Sequence, residues 1–311
     1  MSSGMLTEVS RRIGEADLAT LFSEQRRRSI VAWLVLVPTI AVLLLYRTIP
    51  LLWTVLLSFQ EMSWTGETSF AGLQNYQRLL TDDVFVTALV NNVLFLLTIP
   101  VGIALALGIA LLLNQQFVGS DGFRSLFFVP YILMMVGIAV IWNYIFKTSG
   151  GVANHVLLQL GLIESNISWL GDGTWAKVSV FVVHIWKSIG LYLVIILAGL
   201  QTIPQQVYEV ARIDGANRRQ RFRYITLPLL KPTMGVCILV GMILSFKLFD
   251  LIRVLTGGGP ADATEILITY LYRQAFTNGN FGYAAVLTVV LFLLMLSLIA
   301  VGRFVQRESY R

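Results

Sequence analysis

The sequence has 311 residues, of which 56% are hydrophobic and 13% are charged, and its formal net charge is +6. A soluble domain of this length has too little interior to bury so much apolar surface, so the composition excludes an ordinary soluble protein. Six stretches are long and apolar enough to cross a hydrocarbon core about 30 Å thick, which takes roughly 20 helical residues. They are residues 30–57, 93–113, 126–146, 178–200, 234–251 and 283–301.

The predicted fold class is therefore an all-α integral membrane protein with six transmembrane helices. Arg47 and Pro50 interrupt the first stretch, so the sequence leaves its end open. The predicted transmembrane domain covers residues 30–305, between tails at 1–29 and 306–311.

Basic side chains are distributed unevenly among the segments that connect these stretches. Fifteen lie in the two tails, in the loop after the second stretch and in the block after the fourth, against four in the opposite segments. Because cytoplasmic loops carry an excess of Lys and Arg, this pattern predicts that both termini and the block are cytoplasmic. Membrane topology thus accounts for the positive charge, and no nucleic-acid binding is expected.

A polar and strongly basic block, residues 201–233, separates the fourth and fifth stretches. Pro204 suits the first position of a helix, where its missing N–H costs nothing, and no helix breaker follows over residues 205–214. Gly215 then suits the left-handed residue that ends such a helix. Ala211 and Gly215 are four residues apart, so the sequence predicts a small face that a partner surface approaches closely.

A second helix of the block is predicted to start near Asn217 and to end before Pro228, since a residue preceding proline avoids the helical region. Pro232 then opens the fifth stretch. Glu209 and Arg212 have the spacing of a helical ion pair. The residues alone leave two alternatives open, a docking site for a cytoplasmic partner and a basic helix that anchors the chain on anionic lipid.

The spacing within the block resembles the EAA loop of binding-protein-dependent ABC importers. The matching residues are Glu209, Ala211, Asp214, Gly215, Ala216, Phe222, Ile225, Leu227, Pro228 and Pro232. Val210 departs from the pattern, since the family usually has alanine there. Residues 70–76 (FAGLQNY) and 246–260 (FKLFDLIRVLTGGGP) also resemble segments of this family, and the second is typical of its carbohydrate-uptake branch, the MalF-like permeases.

This resemblance, which runs from about residue 30 to 305, implies a permease in the cytoplasmic (inner) membrane of a bacterium or archaeon. The implied partners are a second homologous permease, two copies of a cytoplasmic ATPase, an extracytoplasmic solute-binding protein, membrane lipid and a carbohydrate substrate. The residues implied to couple to the ATPase are Tyr208, Glu209, Ala211, Arg212, Asp214, Gly215 and Ala216. The sequence has no G-x-x-x-x-G-K-[ST] phosphate loop, so we expect no cofactor in this chain and expect ATP and Mg²⁺ on the partner ATPase.

Polar side chains inside apolar stretches are costly and are candidates for the substrate path. The candidates are Asn91, Asn92, Trp186, Lys247 and Asp250. Lys247 and Asp250 are three residues apart, so a continuous helix would let them form an ion pair that faces the interior. The alternative is that this pair, like the two asparagines, only holds helices together.

Other chemistries have weaker support in the sequence. His155 and His184 are far apart and lack cysteine partners, so no metal site is expected. A secondary transporter would need buried carboxylates and inverted repeats, and Asp250 is the one clear acidic residue in a stretch. A membrane-embedded hydrolase would need a third group to orient His184 beside Ser188. The glycine-rich residues 256–260 are read as a flexible turn near the extracytoplasmic mouth.

Overall fold

The structure, a computed structural model, describes residues 31–115 and 117–309, without the side chains at 301 and 303–309. The predicted N-terminal tail at 1–29 lies outside the described residues. The chain divides into two compact units, of which the first ends at Leu56 and the second begins at Leu57.

Helix α1, Val31–Leu57, forms the described part of the first unit, and its last residue is the first residue of the second unit. Pro50 does not end this helix because a π turn over Leu44–Thr48 precedes it, in which the Ile49 N–H bonds to the Leu44 carbonyl. A proline ring clashes with the carbonyl four residues earlier in a regular α-helix, and the wider turn relieves that clash. The first apolar stretch therefore continues as helix to Leu57, which settles the end that the sequence left open.

The second unit begins with an antiparallel hairpin of β1 (Gln60–Met62) and β2 (Thr68–Phe70), with Gln60 opposite Phe70. The helices that follow are α2 (Gln74–Leu80), α3 (Asp83–Leu113), α4 (Ser120–Ile132), α5 (Met135–Ile145), α6 (Val152–Gln159) and α7 (Gly173–Gln201). Helix α3 starts well before residue 93 because Asp82 caps it, accepting hydrogen bonds from the N–H groups of Val84 and Phe85.

The remaining helices are α8 (Gln205–Ile213), α9 (Arg218–Leu229), α10 (Lys231–Phe246), α11 (Phe249–Leu255), α12 (Leu267–Tyr272) and α13 (Phe281–Ser309). A π turn, Arg273–Thr277, continues α12. The predicted C-terminal tail at 306–311 therefore begins inside a helix.

Two of the predicted straight stretches are broken. Helices α4 and α5 meet at 99°, because Leu133 and Met134 are extended between them. The predicted helix at 234–251 is interrupted at Lys247 and Leu248, which lie between α10 and α11. Helices α9 and α10 meet at a further bend of 61°.

Three buried clusters hold the second unit together. The first joins α3, α7 and α10, the second joins α5, α7 and α11, and the third joins α3, α12 and α13. Among the described residues, α1, α3, α7 and α13 are each long and apolar enough to cross a membrane, and six segments qualify if each bent pair counts as one. The chain is thus mostly helical, with four to six candidate membrane spans.

Candidate functional site

Helix α8 ends where the sequence predicted. Gly215 has a left-handed backbone with φ +79°. Its N–H bonds to the Arg212 carbonyl and the Ala216 N–H bonds to the Ala211 carbonyl, at 3.1 and 2.9 Å. These two bonds form the Schellman motif, so the predicted C-cap is confirmed. Pro204 lies one position earlier than predicted, as the extended N-cap residue.

The two sides of α8 have different surroundings. Tyr208 packs against the cluster that joins α3, α7 and α10, and its hydroxyl lies 3.0 Å from the Thr226 hydroxyl. Ala211 lies on the same side and is 9% exposed, whereas Val210 and Ile213 are 57% and 85% exposed. The outward face of α8 therefore exposes the apolar side chains of Val210 and Ile213 among polar ones, and its inward face connects it to the membrane helices.

This packing corrects part of the sequence interpretation. Ala211 does not share an accessible small face with Gly215, because the helix turns Ala211 toward the core of the chain. Glu209 and Arg212 form no ion pair with each other, since their exposed side chains gain little from pairing in water. The other residues predicted to couple, Glu209, Arg212, Asp214 and Gly215, are exposed, and Ala216 is half-buried.

Helix α9 begins where it was predicted but does not end there. Asn217 accepts a hydrogen bond from the Gln220 N–H, and the Gln220 side chain accepts one from the Asn217 N–H, which completes a capping box. The prediction that the helix ends before Pro228 is wrong, because a π turn over Phe222–Thr226 makes room for the proline ring. This is the same arrangement that carries α1 through Pro50.

Asn91 and Asn92 tie α3 to the segment between α11 and α12. Asn91 Nδ2 donates to the carbonyls of Ala263 and Glu265, each at 2.8 Å. Asn92 Oδ1 accepts a 2.9 Å bond from the Leu267 N–H. Both asparagines are buried. They hold the loop in place, and contact with a substrate stays a prediction for them.

That loop is more ordered than a flexible glycine turn. The hydroxyls of Thr256 and Thr264 are 2.7 Å apart, and the Thr264 N–H bonds to the Gly258 carbonyl. The Glu265 carboxylate lies against Gly258, where an added Cβ would meet Oε2 at 2.2 Å. Burial raises the pKa of Glu265, and Arg273, 3.5 Å away, opposes that shift. The glycine run therefore makes room for a buried acid.

The predicted ion pair between Lys247 and Asp250 is absent. Lys247 lies in the break between α10 and α11 and Asp250 lies in the first turn of α11, so they do not occupy successive turns of one helix. Both are exposed, and neither forms an ion pair with any residue that the structure describes. Two unpaired charges at a break in an apolar segment remain good candidates for contact with a substrate or a partner subunit.

Aromatic rings form two groups among the described residues of the second unit. Trp186 is 39% exposed, and its ring packs edge-to-face on Trp142 at 5.5 Å. A second series of rings runs away from Asp250, with centroids 5.0 to 6.5 Å apart between successive members. In order along the series they are Phe249, Tyr272, Phe276, Phe281 and Trp64. Sequence reasoning missed this series because its members come from distant segments.

Lys187 lies next to Trp186 in the sequence and holds the bend between α4 and α5. Its Nζ, on α7, donates to the carbonyls of Pro130, Tyr131 and Leu133 at 3.1, 3.2 and 2.5 Å. The last carbonyls of a helix have no partner within the helix. Lys187 therefore caps α4 where the α4–α5 pair bends.

Asp82, the cap of α3, connects this helix to α12 and α13. Its Oδ2 accepts hydrogen bonds from the hydroxyls of Tyr270 and Tyr283. Burial alone would raise the pKa of Asp82, but these two bonds and its bonds to backbone N–H groups hold it below the usual value. Nothing in the described part of the chain brings three or more His, Cys, Asp or Glu residues together to hold a metal ion.

His184 has a partner that ties helices together. Its Nδ1 lies 3.0 Å from the Thr98 hydroxyl, which itself donates to the Phe95 carbonyl. The Thr98 oxygen therefore accepts a hydrogen bond from the Nδ1–H group, and this bond joins α7 to α3. Thr98 is the one side chain in the described part of the chain that forms a hydrogen bond with His184.

Comparison with known proteins extends these observations. A family model described as "Binding-protein-dependent transport system inner membrane component" matches residues 98–309. The probable ABC transporter permease protein YurN of Bacillus subtilis (strain 168) is 37% identical over 276 residues, which cover 88% of this chain and 94% of YurN. The trehalose/maltose transport system permease protein MalF of Thermococcus litoralis is 33% identical over 284 residues, which cover 89% and 95% of the two chains.

The fold has a solved counterpart. A chain from the crystal structure of a bacterial ABC transporter involved in the import of the acidic polysaccharide alginate aligns with a TM-score of 0.78 at 22% identity. The alignment covers 91% of this chain and 96% of the other. At this identity, the likeness establishes a shared fold.

Proposed function

This chain belongs to the binding-protein-dependent transport system inner membrane component family, and we propose that it forms half of the path by which a sugar or related polyol is imported. As a member of this family it is a permease subunit of an ABC importer and not itself an enzyme. ATP hydrolysis belongs to a separate subunit. Family membership does not favour a secondary transporter or a membrane-embedded hydrolase.

The proposed topology has six spans, with both termini in the cytoplasm. Each bent pair contributes one span, which in the pair of α9 and α10 is α10, alongside α1, α3, α7 and α13. The excess of arginine and lysine in the tails and in residues 201–233 supports this orientation. It directs α8 and α9 to the cytoplasm and the loop between α11 and α12 to the opposite side.

Coupling to the ATPase is proposed to run through α8. Its outward residues Val210 and Ile213 would enter a cleft of the ATPase, and its inward residue Tyr208 would pass the movement to the cluster of α3, α7 and α10. Two ATPase copies would bind ATP and Mg²⁺, one beneath this chain and one beneath a second, homologous permease. Gly215 lets the chain leave the docked helix, since its left-handed backbone ends α8.

The substrate is proposed to be a carbohydrate delivered by an extracytoplasmic binding protein. The relatives support this class, since their names include a trehalose/maltose and a lactose permease. The solved transporter was also crystallised with a periplasmic protein that holds an alginate pentasaccharide. Lys247 and Asp250 would bond sugar hydroxyls, and the exposed faces of Trp186 and Phe249 would stack on the apolar faces of sugar rings.

The observation that carries the coupling proposal is the exposure of two apolar side chains, Val210 and Ile213, on the outward face of α8, and Val210→Glu tests it. The experiment purifies the chain with its paired permease and ATPase and measures substrate-stimulated ATP hydrolysis. Burying an unpaired carboxylate costs several kcal/mol, so we expect stimulation to fall at least tenfold. Gln205→Glu is the matched control, because it adds the same charge to another exposed position of α8. Equal activity of both variants would refute docking through this face.

A further inference from the structure

An open pocket of about 670 Å³ lies on α9 and is lined by Arg218, Arg219, Phe222, Arg223 and Leu227. We infer that this pocket binds an anionic phospholipid, with the headgroup phosphate on the arginines and an acyl chain along the two apolar residues. The inference rests on the proposed membrane placement of α9 and α10. It gives α9 a ligand of its own, separate from the partner that docks on α8.

The bend between α9 and α10 orients the pocket toward the membrane surface. The two helices meet at 61°, and α10 is the apolar member of the pair. Transmembrane helices tilt by about 20° on average from the bilayer normal. When α10 crosses the bilayer with such a tilt, α9 is inclined by about 41–81° from the normal, so it runs along the membrane surface over most of this range. That is the position of an interfacial amphipathic helix.

The π turn brings the apolar part of the pocket together. In a regular α-helix, a residue five positions after Phe222 would lie about 140° away around the axis. Here the Leu227 N–H bonds directly to the Phe222 carbonyl, so Leu227 returns to the side of Phe222. The same turn therefore accommodates Pro228 and builds an apolar floor beside the arginines.

The charges of the pocket are available for a phosphate. Arg218, Arg219 and Arg223 are exposed and form no ion pair with any described residue. A guanidinium binds phosphate oxygens through two parallel N–H bonds. Phe222 and Tyr224 are 36% and 71% exposed beside these charges, and an aromatic residue among basic ones is typical of the membrane–water interface. A phospholipid offers the phosphate and the hydrocarbon in one molecule.

The test places the permease–ATPase complex in nanodiscs that contain spin-labelled phosphatidylglycerol or spin-labelled phosphatidylcholine. Electron paramagnetic resonance then measures the immobilised fraction of each lipid. We expect a preference for phosphatidylglycerol that falls about fivefold in Arg219→Gln, since a surface arginine contributes about 1 kcal/mol toward an anionic lipid. Arg221→Gln is the matched control, because it removes the same charge from α9 outside the pocket lining, and its effect should stay below twofold.

Three results would overturn the inference. An equal loss in Arg221→Gln would mean that the general positive field, and no pocket, selects the lipid. Displacement of the labelled lipid by millimolar inorganic phosphate would mean that the site binds free anions. Unchanged lipid preference with weaker retention of the ATPase would make α9 a protein-docking surface. The coupling proposal is tested separately, by ATP hydrolysis of Val210→Glu, and its failure would not change the result of the lipid measurement.

Discussion

Replacing Lys187 with methionine removes the cap at the bend of α4 and α5 while keeping most of the side-chain volume. The ammonium group donates to three carbonyls, of Pro130, Tyr131 and Leu133. A cation at a partly buried helix C-terminus contributes up to about 2 kcal/mol, and a buried carbonyl left without a donor costs about 1–3 kcal/mol. We therefore expect Lys187→Met to lower the free energy of unfolding by about 2–4 kcal/mol.

The assay is a thermal melt of the purified complex together with ATP-driven uptake. A loss of this size lowers Tm by roughly 4–16 °C, taking about 2–4 °C per kcal/mol. Uptake should fall further than stability alone requires, because α5 carries Trp142 against Trp186. Lys187→Arg keeps the charge and the donors, so it should restore both the melting temperature and uptake.

A matched control is available on the same helix. Lys177 is half-buried on α7 and makes no side-chain hydrogen bond to the part of the chain that the structure describes, so Lys177→Met should change Tm by less than about 2 °C, as expected for a site without a special contact. If Lys187→Met melts like Lys177→Met, the cap does not hold the bend and the reasoning is wrong.

Three further predictions follow from single contacts. Gly190→Ala places a Cβ 2.2 Å from the Phe127 carbonyl, so α7 and α4 should separate and the complex should melt several degrees lower; an unchanged melt would contradict this packing. Asn91→Ala removes two bonds to the loop at Ala263 and Glu265, a loss of about 1–3 kcal/mol, and should speed hydrogen exchange there, whereas unchanged exchange would mean that the loop is held by other contacts. The pKa of Asp82 is lowered in the folded protein, so its carboxylate stabilises the fold above the unfolded-state pKa near 3.9, and this stability is lost as the pH falls through the folded-state pKa. Asp82→Asn should therefore weaken the loss of thermal stability in acid. An identical dependence of Tm on pH in the variant and the wild type would refute this.

The sequence predicted the end of α8 and the start of α9, because each is determined by one residue and the backbone groups next to it. Gly215 ends α8 because only glycine adopts its left-handed backbone cheaply, and Asn217 starts α9 because its side chain accepts a free N–H. The effect of Pro50 and Pro228 was not predictable in this way. A π turn lets each helix continue through its proline, and nothing in the preceding residues distinguishes a helix that continues from one that ends there.

The candidate site was less predictable because it depends on contacts between distant segments. Ala211 looked accessible from its spacing, but packing against α3, α7 and α10 determines which face of α8 is buried. Lys187 meets carbonyls more than fifty residues away in the chain. Two features of the sequence were available as a signal. Lys187 lies inside an apolar stretch, and Pro130 indicates a nearby helix end whose carbonyls need a hydrogen-bond donor. The break at Lys247 has no such signal.

The central claim is that this chain moves a carbohydrate only as part of an ATP-driven importer with a binding protein. The direct measurement is uptake of a labelled sugar by proteoliposomes that contain this chain, its paired permease and the ATPase, with the sugar-loaded binding protein outside and ATP inside. The account predicts uptake that requires ATP and the binding protein and that persists when proton and sodium gradients are collapsed. Uptake that runs without ATP and stops when those gradients are removed would contradict it.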